Sequence, residues 1–148
     1  MVEEGDLEND FVQDFGTLSD GSSPAKLPGL SIDNSAYNIV MNNYICDNYG
    51  SGVKMVRVGV RNIVSDNIIA NNNRGQSETF HFFGIELGYA AKPDYETVML
   101  DFAACYENII CRNIITGEHY AGIFIAEECY INDFYDNVIM DAVFWSME

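Results

Sequence analysis

The stretch Asn62-Ile63-Val64-Ser65-Asp66-Asn67-Ile68-Ile69 decides the fold, because its pattern Asn-x-Φ-x-x-Asn-x-Φ, with Φ apolar, occurs four times. The copies are NIVMNNYI from Asn38, NIVSDNII from Asn62, NIICRNII from Asn108 and NDFYDNVI from Asn132. The steps between them are 24, 46 and 24 residues, and a recurring unit of about two dozen residues is the signature of a stacked solenoid. Within each copy the apolar residues stand five apart: Val40 and Ile45, Val64 and Ile69, Ile110 and Ile115, Phe134 and Ile139. That spacing predicts two short strands joined by a bend. Asn is the non-glycine residue that best tolerates the left-handed backbone such a bend needs. With coil stacked on coil, the second Asn column (Asn43, Asn67, Asn113 and Asn137) becomes a ladder in which each amide donates to one neighbour and accepts from the other.

A second element precedes each motif. Gly29-Leu30-Ser31-Ile32, Gly52-Val53-Lys54-Met55, Gly84-Ile85-Glu86-Leu87 and Gly122-Ile123-Phe124-Ile125 all open on glycine and alternate as a strand does. With these openings, residues 29 to 142 resemble the right-handed parallel β-helix proteins of pectate-lyase-like architecture. The resemblance implies an all-β solenoid of four to five coils of about two dozen residues. It implies little about activity, since that architecture carries polysaccharide lyases, glycoside hydrolases, epimerases, tailspikes and adhesins. A leucine-rich repeat shares Φ-x-x-Asn-x-Φ. Here, however, Val and Ile stand where Leu belongs, and a second Asn occupies a column that repeat keeps apolar.

The division read from the sequence is an acidic arm or cap over residues 1–28 and a parallel β-helix domain over 29–148. The arm holds seven acidic residues and no base before Lys26, the composition of a solvated segment; Phe11, Val12 and Phe15 are its candidates for capping the first coil. Coil one runs from Gly29 to Ser51 and coil two from Gly52 to about Gly75. Between Gly75 and Asn108 the rhythm breaks. An insertion carrying its own strand, Val98 to Phe102, competes with a degenerate extra coil over residues 75–97, and the absence of a further Asn motif favours the insertion. So short a stack exposes strand edges at both ends, which points to a homo-oligomer or to a module of a larger parent chain.

The formal charge of −16, from 23 acidic and 7 basic residues, argues against nucleic acid as a partner. It also argues against polyuronates unless a cation bridges the two anions. No run of 18 apolar residues is present, so no segment reads as a membrane-spanning helix. Met1-Val2-Glu3-Glu4-Gly5-Asp6 lacks the basic and apolar regions of a secretion signal; an extracellular or cell-surface location is implied by the resemblance alone. The four cysteines lack metal-ligand spacing. Cys105 and Cys129 each stand three residues before a ladder Asn. They are either reduced thiols or a bridge between neighbouring coils, whose backbones run about 4.8 Å apart.

Four of the seven basic residues, Lys54, Arg57, Arg61 and Arg74, fall in coil two. Stacking puts Lys54 beside Ser31 on one side and Glu86 on the other. The candidate substrate-binding residues are accordingly Asp33, Lys54, Arg57, Glu86 and Glu127, along the outward face of the opening strands; the competing reading is surface ion pairing, which contributes little. In the column before the second ladder Asn, Arg112 and Asp136 read as a cross-strand pair. Glu127 and Glu128 point to opposite faces and so form no acid–base pair. No cluster of three Asp shares a strand face. No Asp constellation makes a clear calcium site, so no cofactor is assigned and calcium stays open. His81 reads as an insertion-loop residue and His119 as isolated; nucleophile-elbow, phosphate-loop and zinc motifs are absent. Nine tyrosines supply flat faces with hydroxyls that suit sugar rings or protein partners. The leading expectation is a carbohydrate-binding or polysaccharide-processing module whose partner is a glycan. If it is an enzyme, the class is lyase, hydrolase or epimerase. The alternative is a non-catalytic structural or adhesive segment.

Overall fold

The structure, a computed structural model, describes residues 6–8, 11–13, 27–74, 82–88, 104–117, 119–126 and 128–141. Every regular element among them is a strand, and all pairing between strands is parallel.

Each Asn motif folds as its spacing demands, into two three-residue or shorter strands with a bend between them. The first half-motifs are β4 (Ile39–Met41), β8 (Ile63–Ser65), β12 (Ile109–Cys111) and β15 (Asp133–Tyr135). They stack in that order in one sheet, with β1 (Asp6–Glu8) added beyond β4. The second halves are β5 (Tyr44–Cys46), β9 (Ile68–Ala70), β13 (Ile114–Thr116) and β16 (Val138–Ile139), with β2 (Phe11–Gln13) beyond β5. The glycine openings form a third sheet of β3 (Leu30–Asp33), β6 (Val53–Val56), β10 (Phe83–Leu87) and β14 (Ala121–Ile125). A two-stranded sheet pairs β7 (Gly59–Val60) with β11 (Cys105–Tyr106). Strands that follow one another in the chain thus lie in different sheets, while strands one repeat apart pair. This arrangement is consistent with a parallel β-helix.

The break in rhythm after Gly75 has a direct explanation in the pairing. Ile63–Ser65 lies against Ile109–Cys111, and Asn62 Nδ2 donates to Asn108 Oδ1 at 3.0 Å. The 46-residue step is therefore one step of the stack, and no extra coil stands between these strands. The proposed strand from Val98 to Phe102 lies outside the described residues, as does Phe15. The stretch read as an acidic arm contributes two strands. Leu7 pairs with Val40 and Val12 with Ile45, so the sheets continue beyond coil one.

The Asn columns hold the stack together by satisfying every polar group they bury. Asn108 is representative. Its backbone N–H and its Nδ2 both donate to Asn132 Oδ1, at 3.0 and 2.9 Å, and Nδ2 also donates to the Gly59 carbonyl at 2.9 Å. Its Oδ1 accepts from Asn62 N and Nδ2 at 2.8 and 3.0 Å. The carboxamide thus uses both donors and both lone pairs. The column Asn43, Asn67, Asn113, Asn137 repeats the scheme. The left-handed backbone falls one residue earlier than expected, at Asn42, Asp66, Arg112 and Asp136, and likewise at Tyr37, Arg61, Glu107 and Ile131. The ladder Asn itself must turn its side chain inward, so the residue before it takes the bend.

A third column, which the repeat motif does not include, joins Asn48 Nδ2 to Asn72 Oδ1 at 2.8 Å, and Asn72 Nδ2 in turn donates to the Ile45 carbonyl at 3.0 Å. On the next coil the carbonyl equivalent to that of Ile45 belongs to Ile69, and beside it lies the fully buried imidazole of His119. His119 occupies the place of the next amide. The Ile69 and Thr116 carbonyls act on the ring, but neither ring nitrogen makes a well-formed hydrogen bond. Burial pushes its pKa down to about 4.

The core is a single cluster of Ile32, Val40, Ile45, Val53, Met55, Val64, Ile69, Ile85, Leu87, Cys105, Ile110 and Ile115. The opening glycines are required by packing: a Cβ on Gly52, Gly84 or Gly122 would collide with Ile69, Ile115 or Ile139 respectively. This column of aliphatic side chains fits against bare backbone only.

Candidate functional site

The third sheet places its alternate residues on the side away from the core cluster. Registers Ser31 to Lys54, Lys54 to Glu86 and Glu86 to Phe124 line these four up in one column. Lys54 Nζ lies 2.7 Å from Glu86 Oε1. Ser51, the residue before the opening Gly52, donates its hydroxyl to Glu86 Oε2 at 2.6 Å and accepts from Phe83 N at 3.1 Å. Glu86 is only 1% exposed, whereas the Lys54 side chain keeps 24% of its surface open. A carboxylate removed from water in this way needs donors such as these.

Aromatic rings border the column. Phe83, the residue before Gly84, stacks on Phe124 with ring centroids 4.6 Å apart, and meets Tyr120 edge-on at 6.1 Å. Phe83 and Ser51 occupy equivalent positions, each preceding an opening glycine. Spacing relative to those glycines was the signal that could have identified them.

Of the five candidate residues, the structure brings four together as two ion pairs. Lys54 pairs with Glu86. Arg57 forms a two-point pair with Asp33, its Nε and Nη2 each reaching one carboxylate oxygen on the exposed surface. Glu127 lies outside the described residues, as does His81. The other basic residues of coil two are engaged elsewhere. Arg61 reaches Glu107 at 2.5 Å and the Tyr37 hydroxyl at 2.7 Å, and Arg74 donates to the Asp47 carbonyl and lies over the Tyr49 ring. Arg112 does not pair with Asp136. It turns to the other neighbouring coil and grips Asp66 through two bonds of 2.8 and 2.7 Å, which hold the Asp66 carboxyl below the usual carboxylate range.

The column carries a partly exposed ammonium, a hydroxyl, a buried carboxylate and the half-buried ring of Phe124, backed by the buried ring of Phe83. That combination suits recognition of a ligand with hydroxyls and apolar ring faces. It is poorly arranged for acid–base hydrolysis, which needs two carboxyl groups facing one bond: Glu86 is held by Ser51 and Lys54, and Asp33 by Arg57. Among the described residues no three His, Cys, Asp or Glu side chains gather as a metal site, and no helix is long and apolar enough to cross a membrane.

No protein-family model, no curated protein and no solved structure matches this chain.

Proposed function

We propose that this chain is a right-handed parallel β-helix module of pectate-lyase-like architecture that binds carbohydrate along the outer face of β3, β6, β10 and β14. Parallel strands joined by a crossover in one sheet are right-handed in nearly all proteins, which supports the hand. The observation that carries the binding reading is the column Ser31, Lys54, Glu86, Phe124 beside the stacked ring of Phe83. The Phe124 ring, backed by the buried Phe83, covers the apolar face of a sugar, while the ammonium of Lys54 serves its hydroxyls. With a net charge of −16, a neutral glycan fits better than a polyuronate, which would need a bridging cation such as calcium. An extracellular or cell-surface setting follows from such a ligand.

A glycan array, read with and without calcium and paired with a reducing-end assay, tests the proposal. Saturable binding that Phe124→Ala or Lys54→Met abolishes, without new reducing ends, supports a binding module. New reducing ends would make it an enzyme of the lyase or hydrolase classes instead. Binding to no glycan would remove the reading.

The second reading, a structural or adhesive segment without catalysis, is favoured by the mutual neutralisation of the ion pairs and by the apolar residues exposed on the last described coil, Ile125, Val138, Ile139 and Met140. Analytical ultracentrifugation tests it: reversible association supports self-assembly through that coil, and a strict monomer counts against it.

A further inference from the structure

Cys105 and Cys129 stand on neighbouring coils, and three independent contacts fix their register. Tyr106 bridges Tyr130 in parallel fashion, and the two rings stack with centroids 5.2 Å apart and planes within 3°. Tyr130 N donates to the Cys105 carbonyl at 3.2 Å, and Asn132 Nδ2 donates to the same carbonyl at 2.9 Å. The residues immediately before Tyr106 and Tyr130 are therefore laid side by side. Neighbouring parallel strands run about 4.8 Å apart, inside the Cα separation a disulfide accepts.

The two thiols are in contact but not equivalent. Cys105 is fully buried, and its Sγ lies 3.4 Å from the Met55 carbonyl. Cys129 is half-buried and keeps a surface to solvent. A hydrogen bond from the Cys105 thiol favours the thiolate at Cys129, bringing it down to about 7, while the same contact and burial push Cys105 up. The sulfur of the less buried Cys129 is thus the nucleophile, and the fully buried one is placed to attack only what has bonded to Cys129.

We propose that Cys105 and Cys129 form a thiol–disulfide exchange site, at which Cys129 is modified by a small disulfide such as oxidised glutathione and Cys105 resolves the adduct into a bond between neighbouring coils. In the first step the Cys129 thiolate attacks one sulfur of the small disulfide, forming a mixed disulfide and releasing one thiolate. In the second the Cys105 thiol loses its proton to solvent and its sulfur attacks Cys129 Sγ, releasing the second thiolate. Two protein thiols are oxidised and one small disulfide is reduced to two thiols, so atoms and electrons balance. The site does not depend on the carbohydrate reading.

The test treats the full chain with oxidised glutathione, alkylates the remaining thiols and maps peptides after cleavage at glutamate. Cuts at Glu107, Glu118 and Glu128 put Cys105, Cys111 and Cys129 on separate peptides. The expected product is the Cys105 peptide linked to the Cys129 peptide, lighter by two hydrogens than the sum, with Cys46 and Cys111 alkylated. Cys105→Ser should stop the reaction at a glutathione adduct on Cys129, and Cys129→Ser should leave Cys105 unmodified. The proposal is overturned if the wild-type map lacks the linked pair, whether Cys129 is unreacted or a persistent adduct, or if Cys105 takes up glutathione in Cys129→Ser. The wild-type map stands alone should either variant fail to fold.

Discussion

Ile115 and Ile139 occupy the same column one coil apart, in motifs of the same spelling, yet Ile115 is fully buried and Ile139 is 36% exposed. Their surroundings differ along the whole coil. Ile110 is buried where Phe134 is only half-buried, and Asn108 and Asn113 are buried where Asn132 and Asn137 are partly open. Among the described residues the inner coil has a neighbour on both faces and the last described coil on one. A repeat motif therefore specifies the shape of a coil but not its stability, which comes from the coils stacked on either side.

The most severe test of this contrast is in the ladder. Asn108→Ala strips partners from Asn62 N–H and Nδ2, Asn132 Oδ1 and the Gly59 carbonyl, and should destabilise by about 4 kcal/mol because buried polar groups are left unpaired. Asn137→Ala, on the last described coil, strips partners from Asn113 N–H and Nδ2 and from the Ile110 carbonyl, but water reaches its half-open site, and it should cost about 2 kcal/mol. Urea denaturation of both reads the difference, and equal midpoints would break the comparison.

The third column ends in an imidazole instead of an amide, and pH reads that end. His119 has its folded pKa lowered to about 4 from the usual 6.5 of an imidazole, so the unfolded chain binds the proton more readily. Its contribution is fully present above about pH 6.5 and is lost as the pH falls to about 4, a change on the order of 3 kcal/mol. His119→Asn should flatten stability across that window, measured by denaturation at stepped pH. A profile as steep as the wild type's would remove the assignment.

Core truncation sharpens the contrast further. Ile115→Ala should cost about 3 kcal/mol and Ile139→Ala about 1 kcal/mol, since the second side chain gives up less buried surface. The smallest single effect is expected in the third sheet. Glu86→Gln, on an inner strand, removes the buried charge that faces Lys54 and should cost about 2 kcal/mol, whereas Asp33→Asn at the edge, in an exposed pair, should cost less than about 1 kcal/mol. Thermal unfolding of the two variants, with and without salt, checks the order.

Much of this was legible. The recurring Asn pairs announced the ladders, and the opening glycines announced the third sheet, because a stack repeats whatever one coil does. The meeting of Lys54 and Glu86 followed from the same counting. Other features were legible but weaker. Asn48 and Asn72 stand five residues after Asn43 and Asn67, yet only two coils carry them, and His119 breaks the spelling. Leu7 and Val12 keep the five-residue spacing of Val40 and Ile45, but Asp10 stands where the ladder Asn would be, in a run of acidic residues that masked the pattern.

By itself the sequence determined the period, the strand parity and the identity of the laddered amides, because each is a local property that stacking copies from coil to coil. Only the tertiary structure decided that Arg112 turns to Asp66 and not Asp136, that Ser51 donates to Glu86, that Asn62 meets Asn108 across a 46-residue step, and that Ile139 is left open where Ile115 is sealed. The physical reason is that a charged side chain has a neighbour on each side and a carboxylate accepts from whichever donor the corner brings within reach. Distances between chain segments make that choice, and a linear pattern does not contain them.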